Sequence, residues 1–524
     1  MQSARTFSKH RYWILPALLG AGLYLINLPG TWIYDDMFIA REDPRLQSVS
    51  RWREYLTTDY FSGSVDNLWR PVVSLSYAVQ YWLHGGKAWP FHLANLLLHA
   101  GVCLLVSRLG QRLSGSTRVG LVAGLLFASH PIHVEAVSGI VGRAEEMCAI
   151  GVLAAMLLVL HRKMTTARAF AVTGCFLFAA MSKEQGTLLP IILLGWLILQ
   201  NLFGSAETAL GVDEILKSRQ WRSTENSAAL LLTALLAGSL AVFVSYRNSI
   251  APWFWDKSFI DPSINPIVQS VGVDRGLIPI AILGRYTALL LAPWRLAPDY
   301  SANVFTSIQR ESDPFLWIGI ITLFALVITA IVAVKKRLVI ILFCLGCLAV
   351  TYFLASNIII IGTIFGERLM YLPSVFVCIL VALAFEKMNA RSRIACLTLF
   401  LAAFCIRTET YAWQWNDRLR FYTYSVEVQP KSSMTYMLLG DELRRRGDLA
   451  QAARVLAQAR IVCPESRRIW YQSAQIALDR GRYAEAQRWA QHSMELFPSL
   501  STTALLSEIA ERSATQSVRD RSGD

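Results

Sequence analysis

YWILPALLGAGLYLINL, residues 12–28, is followed a few residues later by IYDDM, residues 33–37, and these two pieces together decide the fold. The first is an apolar run of about the length that crosses a bilayer core. Arg5, Lys9, His10 and Arg11 precede it, which puts its amino end on the cytoplasmic side. No clear small-residue cleavage site follows, so the run reads as a retained anchor rather than a signal peptide. The second piece places two adjacent carboxylates, Asp35 and Asp36, at a membrane boundary. Carboxylates are costly to desolvate there, so the pair is expected to face water or a cavity.

The rest of the chain extends this pattern. Of 524 residues, 54% are hydrophobic and only 17% charged, against about a quarter charged in soluble domains. Apolar runs near span length recur, so the chain reads as an all-α polytopic membrane protein. The net charge of +13 would suggest nucleic acid in a soluble protein. Here many Lys and Arg sit in short loops between spans, where they set orientation, and no nucleic-acid partner is implied. Most of the nine cysteines lie inside apolar runs, where Cys acts as a small hydrophobe, not in a disulfide framework.

Working outward, residues 29–90 form a long polar loop, with a surface helix at 52–60 and an amphipathic interfacial helix at 69–83. Further spans are expected at 91–109, 119–129, from 137 to the His161-Arg162-Lys163 cluster, 169–181, 187–203, 227–246, 315–334, 338–355, 369–385 and 394–406. Residues 277–291 are apolar but flanked by outer-type polar segments, and are read as interfacial or re-entrant. This gives about eleven spans. The basic groups Arg108, Arg112 and Arg118, Lys217, Arg219 and Arg222, Lys335-Lys336-Arg337, and Lys387, Arg391 and Arg393 all fall on one side, the cytoplasmic one. An odd count leaves the acidic pair and the C-terminal tail together on the non-cytoplasmic face, periplasmic or luminal.

The tail is soluble in character and repetitive. Pro464 and Pro498 are 34 residues apart, the tetratricopeptide period. Tyr436, Leu439, Gly440, Leu443, Gly447, Ala452, Leu456, Ala459 and Pro464 occupy the expected offsets of one unit; Trp470, Ser473, Ala474, Ala477, Gly481, Tyr483, Ala486 and Pro498 occupy those of the next. The division is therefore a membrane domain at 1–412, helical repeats at 413–513 (units 433–466 and 467–500), and a polar, disordered tail at 514–524.

Four polar groups interrupt the apolar scaffold on the non-cytoplasmic side: Tyr34 to Asp36; HPIHVEA, residues 130–136, with Arg143; SKEQG, residues 182–186; and GERLMYLPS, residues 366–374. Their convergence on one face is the argument for a site. Asp35 and Asp36 point in different directions, and a carboxylate beside a substrate can act as general base; the bland alternative is a turn with two solvated acids. His130, His133 and Glu135 could form a metal site, but the spacing is not HExxH and Pro131 sits between the histidines; a polar turn is the alternative, and Glu135 is the better candidate. Arg143 would lie inside a span, where a buried Arg is functional by default. Arg368 with Glu367, and Lys183 with Glu184, are each either phosphate or substrate contacts or local ion pairs that anchor a helix end. There is no P-loop and no GxGxxG after a strand.

These motifs, in order, carry a resemblance: YDD, REDPRL, WRPVVSLSY, FHLANLLLH, FASHPIHVEAVSGIVGRAE, SKEQG, SNIIIIGTIFGERLMYLPS, then WNDRLRFYTYSVEVQP leading into repeats. The chain resembles the transmembrane and tetratricopeptide-repeat O-mannosyltransferase family over nearly its whole length, with a shorter repeat array; it reads as a compact bacterial relative. The loop 206–224 matches nothing in that pattern. The resemblance implies a GT-C type membrane glycosyltransferase that uses a polyprenyl-phosphate sugar, mannose by analogy, on the non-cytoplasmic face. Transfer would be inverting, to a protein hydroxyl, with the repeats holding the acceptor polypeptide. The family's acidic pair maps onto Asp35 and Asp36, one of them as base. Arg143, Arg368 and Lys183 are then candidates for the donor phosphate, and His133, Glu135, Glu184 and Glu367 for sugar or acceptor contacts. No metal or other cofactor is required, because cationic side chains can stabilise a phosphate leaving group.

Three readings compete. A GT-C enzyme acting on a glycan or lipid would share the scaffold. A non-catalytic membrane adaptor displaying the repeats predicts that Asp35 and Asp36 are dispensable. A transporter fits less well, because the charged groups gather at one face rather than the midplane.

Overall fold

The computed structural model describes residues 12–61, 68–160, 164–203, 226–251, 260, 265–300 and 313–522. Arg5, Lys9, His10 and Arg11, the His161-Arg162-Lys163 cluster, the loop carrying Lys217, Arg219 and Arg222, and the aromatic residues Trp253 to Trp255 lie outside the described residues. Every described element is helical. In chain order these are α1 (Ile14–Tyr24), α2 (Trp52–Thr57), α3 (Pro71–His84), α4 (Trp89–Ser114), α5 (Thr117–Ser129), α6 (Val134–Ser138), α7 (Arg143–Val159), α8 (Thr166–Ala180), α9 (Leu189–Phe203) and α10 (Asn226–Ile250). Then come α11 (Gly272–Leu291), α12 (Pro314–Lys335), α13 (Val339–Phe353), α14 (Tyr371–Glu386), α15 (Ala390–Gln414) and α16 (Arg418–Val428). The tail holds α17 (Ser433–Arg445), α18 (Leu449–Val462), α19 (Arg467–Asp479), α20 (Tyr483–Leu496) and α21 (Leu500–Ser522).

Among the described residues, six helices are long and apolar enough to cross a membrane: Trp89–Ser114, Glu184–Phe203, Ser227–Ile250, Pro314–Lys335, Glu367–Glu386 and Ala390–Gln414. A seventh arises if α5 and Pro131–Ser138, bent by 55°, are one broken span. Ile14–Asn27, Thr166–Ala180 and Val339–Phe353 are apolar but shorter. The chain is thus a multi-pass membrane protein; among the described residues the expected count of about eleven spans is not confirmed. Three expected spans are the shorter apolar helices just named, and the span expected from 137 begins with short helical turns before Arg143. Such irregular backbone is tolerated at membrane depth where it is buried in protein, and those turns are buried. The segment 277–291 lies in α11, which carries Arg275, Arg285 and an internal Pro279 and is not among the six.

Burial sorts the helices into a centre and a rim. Glu367–Glu386 is 72% buried over its most apolar window, and Pro314–Lys335 only 11%. Helices α4, α5, α7 and α14, with α1, pack into one core. The outer helix α12 exposes Trp317, Ile321, Phe324 and Ile328, a surface that suits lipid and would associate in water. The polar groups needed for chemistry therefore have to come from the ends of the central helices and the turns between them.

In the tail, α17 pairs with α18 and α19 with α20, and α18 packs on α19. Ser432 and Asp448 cap their helices by accepting the Thr435 and Gln451 amides at 3.3 and 2.9 Å. Gly447 and Gly481 take φ of 80° and 71° in the equivalent turns of the two units, a conformation glycine adopts without strain. The tail end departs from expectation. Instead of disorder from 514, α21 continues to Ser522. Its buried Leu505 and Ile509 pack on the second repeat, and a Glu508–Arg512 pair at 2.6 Å supports the next turn, so the helix runs on past its packed face.

Candidate active site

The acidic turn is built around one unusual residue. Tyr34 has φ +58°, the left-handed region, which costs a side-chain-bearing residue about 1–2 kcal/mol. Its amide donates to the Tyr422 hydroxyl at 3.2 Å; a hydrogen bond of this kind contributes about 0.5–1.5 kcal/mol, the same order as the strain. The two acids then part. Asp36 is fully buried and accepts the Val141 amide at 2.9 Å and the Ile33 amide at 3.3 Å, which ties the turn to the segment before α7. Burial pushes its carboxyl up to about 7, with the backbone amides of Val141, Ile140 and Ile33 opposing the shift. Asp35 keeps a side chain 27% exposed, with a carboxylate oxygen 4.0 Å from Arg368 Nη2.

The HPIHVEA segment places one carboxylate and no free imidazole. Pro131 ends α5 by removing an amide, and the chain restarts as α6. His130 accepts the Ile132 amide through Nδ1 at 3.2 Å and donates from Nε2 to the Leu290 carbonyl at 3.0 Å. His133 is wholly buried; its Nδ1 donates to the Phe127 carbonyl at 2.8 Å and its Nε2 lies 2.8 Å from Ser374 Oγ. Neither ring reaches the acidic turn by these contacts. Glu135 does face it: Oε2 accepts the Arg368 backbone amide at 2.8 Å and Oε1 accepts Arg368 Nη1 at 2.9 Å. The turn that returns the chain to α7 passes so close that a Cβ on Gly142 would sit 2.0 Å from the Ala136 carbonyl oxygen. Only glycine lets α6 and the start of α7 approach closely enough to aim Glu135 and Glu145 at the same cation.

That cation is Arg368, whose Nε lies 3.7 Å from Glu145. Lys183 pairs with the same Glu145. Its burial holds the ammonium below the usual lysine range, with Glu145 pulling the other way. Glu184 faces outward from this cluster to Arg70, at 2.9 Å, and Arg70 lies over the Tyr60 ring. Asp35, Arg368, Glu135, Glu145 and Lys183 thus form one linked ion cluster, with Arg70 and Glu184 beside it. Of its members, only Arg368 and Asp35 keep side chains more than a quarter exposed. Their closest atoms are 4.0 Å apart, an ion pair longer than a hydrogen bond, on the part of the cluster that is not buried.

Besides His133, two expected site residues lie elsewhere. Arg143 is 1% exposed; its guanidinium donates to Asn95 Oδ1 and Ser76 Oγ at 3.0 and 3.1 Å and to the Phe91 carbonyl at 3.1 Å, over the Tyr77 ring. It locks α3, α4 and α7 together. Glu367 is fully buried and accepts the Ala297 amide and the Tyr300 hydroxyl, both at 2.6 Å, bracing the loop after α11. Glu145 and Arg70 were not singled out from the sequence, although each stands within a motif quoted there, GRAE and WRPVVSLSY. Among the described residues no group of three or more His, Cys, Asp or Glu side chains is arranged to hold a metal ion.

Next to the cluster, an apolar cavity of about 460 Å³ opens between α8 and α10, lined by Leu56, Trp69, Leu177, Met181, Phe243 and Tyr246 among others. Trp69 and Tyr246 are the chain neighbours of Arg70 and Arg247, and Met181 precedes Lys183 by two positions.

Fold and site define a class: a multi-pass helical membrane protein with a partly open ion cluster at the ends of its central helices and tetratricopeptide repeats at its carboxyl end. A tetratricopeptide repeat model matches residues 434–476. The chain is 25% identical to the protein O-mannosyl-transferase Tmtc3 of Drosophila melanogaster over 89% of its length. It is 26% identical to the protein O-mannosyl-transferase TMTC4 of Homo sapiens over 81% of its length, and 36% identical to tmtc2 of Xenopus laevis over a 188-residue stretch. These relatives carry the names of the family that the motif order resembles. The chain spans 56% of the Drosophila protein and 63% of the human one, less than two thirds of either.

Proposed function

We propose that the chain is a membrane glycosyltransferase that moves a sugar from a polyprenyl-phosphate donor to a protein hydroxyl on the non-cytoplasmic face. Mannose is taken from the names of its relatives. The observation that carries the proposal is the facing of Asp35 and Arg368, a carboxylate and a guanidinium that are each partly exposed, within a cluster otherwise buried. In this reading the acceptor oxygen attacks the anomeric carbon from the face opposite the lipid phosphate. The bond from that carbon to the phosphate oxygen breaks, the electron pair leaves with the phosphate, and the configuration inverts. Asp35 takes the acceptor proton, as a general base within reach of the hydroxyl. Arg368, with Lys183 behind it, meets the charge that develops on the phosphate. Glu135 and Glu145 hold those cations in place, and Asp36 anchors the turn that carries the base. The apolar cavity beside Arg70 and Lys183 fits an isoprenoid chain, and the repeats hold the acceptor polypeptide.

The test uses purified full-length protein in nanodiscs with polyprenyl-phosphate mannose and polyprenyl-phosphate glucose as donors. Asp35→Asn is expected to lower turnover about 10²- to 10⁴-fold, the usual contribution of a general base, while donor binding persists. Asp36→Asn is expected to lower it less. Asp35→Asn with wild-type turnover removes the base. Folded wild type that neither binds nor turns over either donor favours the adaptor reading.

A further inference from the structure

We propose that Tyr422, on the helix that links the membrane domain to the repeats, is a positioning residue for Asp35. The proposal rests on the reading of Asp35 as base. Tyr34 is held in the left-handed conformation one residue before Asp35, and its amide donates to the Tyr422 hydroxyl at 3.2 Å. Strain and hydrogen bond are of similar size, so loss of the acceptor lets Tyr34 relax to an ordinary φ. That relaxation turns the following peptide and swings Asp35 away from Arg368. Asp36, through the Ile33 and Val141 amides, and the Asp35 carbonyl, which accepts the Phe38 and Ile39 amides at 3.1 and 3.0 Å, hold the rest of the turn, so the shift is confined to the peptide between Tyr34 and Asp35.

Tyr422 is not an isolated contact. The start of its helix grips the acidic loop at three more places. Asn416 receives the Asn27 side-chain amide at 2.9 Å, and its carbonyl accepts the Thr31 amide at 3.3 Å. Arg418 Nη1 lies 3.8 Å from Met37 Sδ. The same helix is fastened to the first repeat. Arg418 Nε lies 3.5 Å from Glu442, and Asp417 pairs with Arg446 at 3.2 Å, which itself pairs with Glu442 at 2.8 Å. Glu442 is 5% exposed and sits in α17, the first helix of the repeats. A continuous set of contacts therefore joins the first repeat to the residue that sets the direction of Asp35. Within this set of contacts the Tyr422 hydroxyl is the one that meets the amide of the strained Tyr34.

The experiment compares Tyr422→Phe, Tyr424→Phe, Asp35→Asn and wild type, all full length in nanodiscs, for kcat, donor KM, melting temperature and amide exchange of the peptide spanning residues 31–38. Tyr424→Phe removes a neighbouring hydroxyl that donates to the Leu296 carbonyl at 2.7 Å, away from the acidic loop. Tyr422→Phe is expected to lower kcat about 10- to 100-fold, the size of effect a misplaced catalytic group produces. Donor KM and melting temperature should match those of Tyr424→Phe, and exchange in 31–38 should quicken. Wild-type kcat in Tyr422→Phe alongside an inactive Asp35→Asn overturns this inference alone. An equal fall in both Phe variants, together with melting temperature, shows a general structural role and also overturns it. A fully active Asp35→Asn removes the base and this inference with it.

Discussion

Replacing Glu135 by Gln tests whether Arg368 is held open for a substrate. Glu135 is 4% exposed and gives two carboxylate oxygens to Arg368, at 2.8 and 2.9 Å. Hydrogen bonds to charged groups contribute about 1.5–3 kcal/mol each, and breaking a buried pair costs roughly 3–5 kcal/mol. Arg368 is 27% exposed, so water recovers part of that loss, and a cost of roughly 2–3 kcal/mol is expected for Glu135→Gln. Gln keeps the shape and can still accept the backbone amide, but its own amide hydrogens meet the guanidinium. Arg368→Gln leaves Glu135 and Glu145 without their shared cation and is expected to cost at least as much. The double variant should be less destabilised than the sum, by roughly 1–3 kcal/mol, as residues in one network are. The assay is thermal unfolding of the four proteins in one detergent, with turnover measured alongside. In Glu135→Gln the guanidinium can close the 4.0 Å gap to Asp35, so kcat should fall while the donor still binds. Additive effects within about 0.5 kcal/mol would falsify the pairing, and unchanged turnover would show that Arg368 is not poised by Glu135.

Two further outcomes follow from the same geometry. Asp36, buried and raised to about 7, carries a proton in the folded state over a range where the unfolded carboxyl has lost it. The folded state then binds more protons than the unfolded one between about pH 4 and about pH 7, so stability falls as pH rises through that window and is level above it. The full change is roughly 4 kcal/mol; melting temperatures from pH 4.5 to 8 should show this slope in wild type and lose it in Asp36→Asn, and equal slopes in the two proteins refute the assignment. Gly142→Ala should prevent stable folding or cost more than about 3 kcal/mol, since overpacking against backbone has no soft side chain to yield. Its Cβ would lie 2.0 Å from the Ala136 carbonyl oxygen, and a variant that expresses and melts like wild type refutes that close approach.

Helical periodicity and apolar run length were enough to place most helices, because each depends on residues within a few turns. The 34-residue spacing of the prolines likewise anticipated the paired repeats and their matched Gly447 and Gly481 turns. The span count was less legible, since an apolar composition does not say where a helix breaks, and the span expected from 137 becomes a continuous helix only at Arg143. The polar motifs were found, but their members were not sorted. Arg143 looked like a phosphate ligand as a lone cation in an apolar stretch. Asn95, its partner 48 positions away, could not be paired with it from spacing alone. The same holds for His133 and Glu367, whose polar atoms bond to the Phe127 carbonyl and the Ala297 amide.

By itself, then, the sequence determined a helical membrane protein with a carboxyl-terminal repeat domain and named the four polar turns that supply the candidate site. Both follow from burial and hydrogen bonding that the chain satisfies locally. Only the tertiary structure decided which acid is partly exposed and which is buried, that Glu145 is shared by Arg368 and Lys183, and that Tyr422 reaches back across 388 positions to hold Tyr34. Those choices depend on which helix ends pack together, and a carboxylate's role is set by what surrounds it in space.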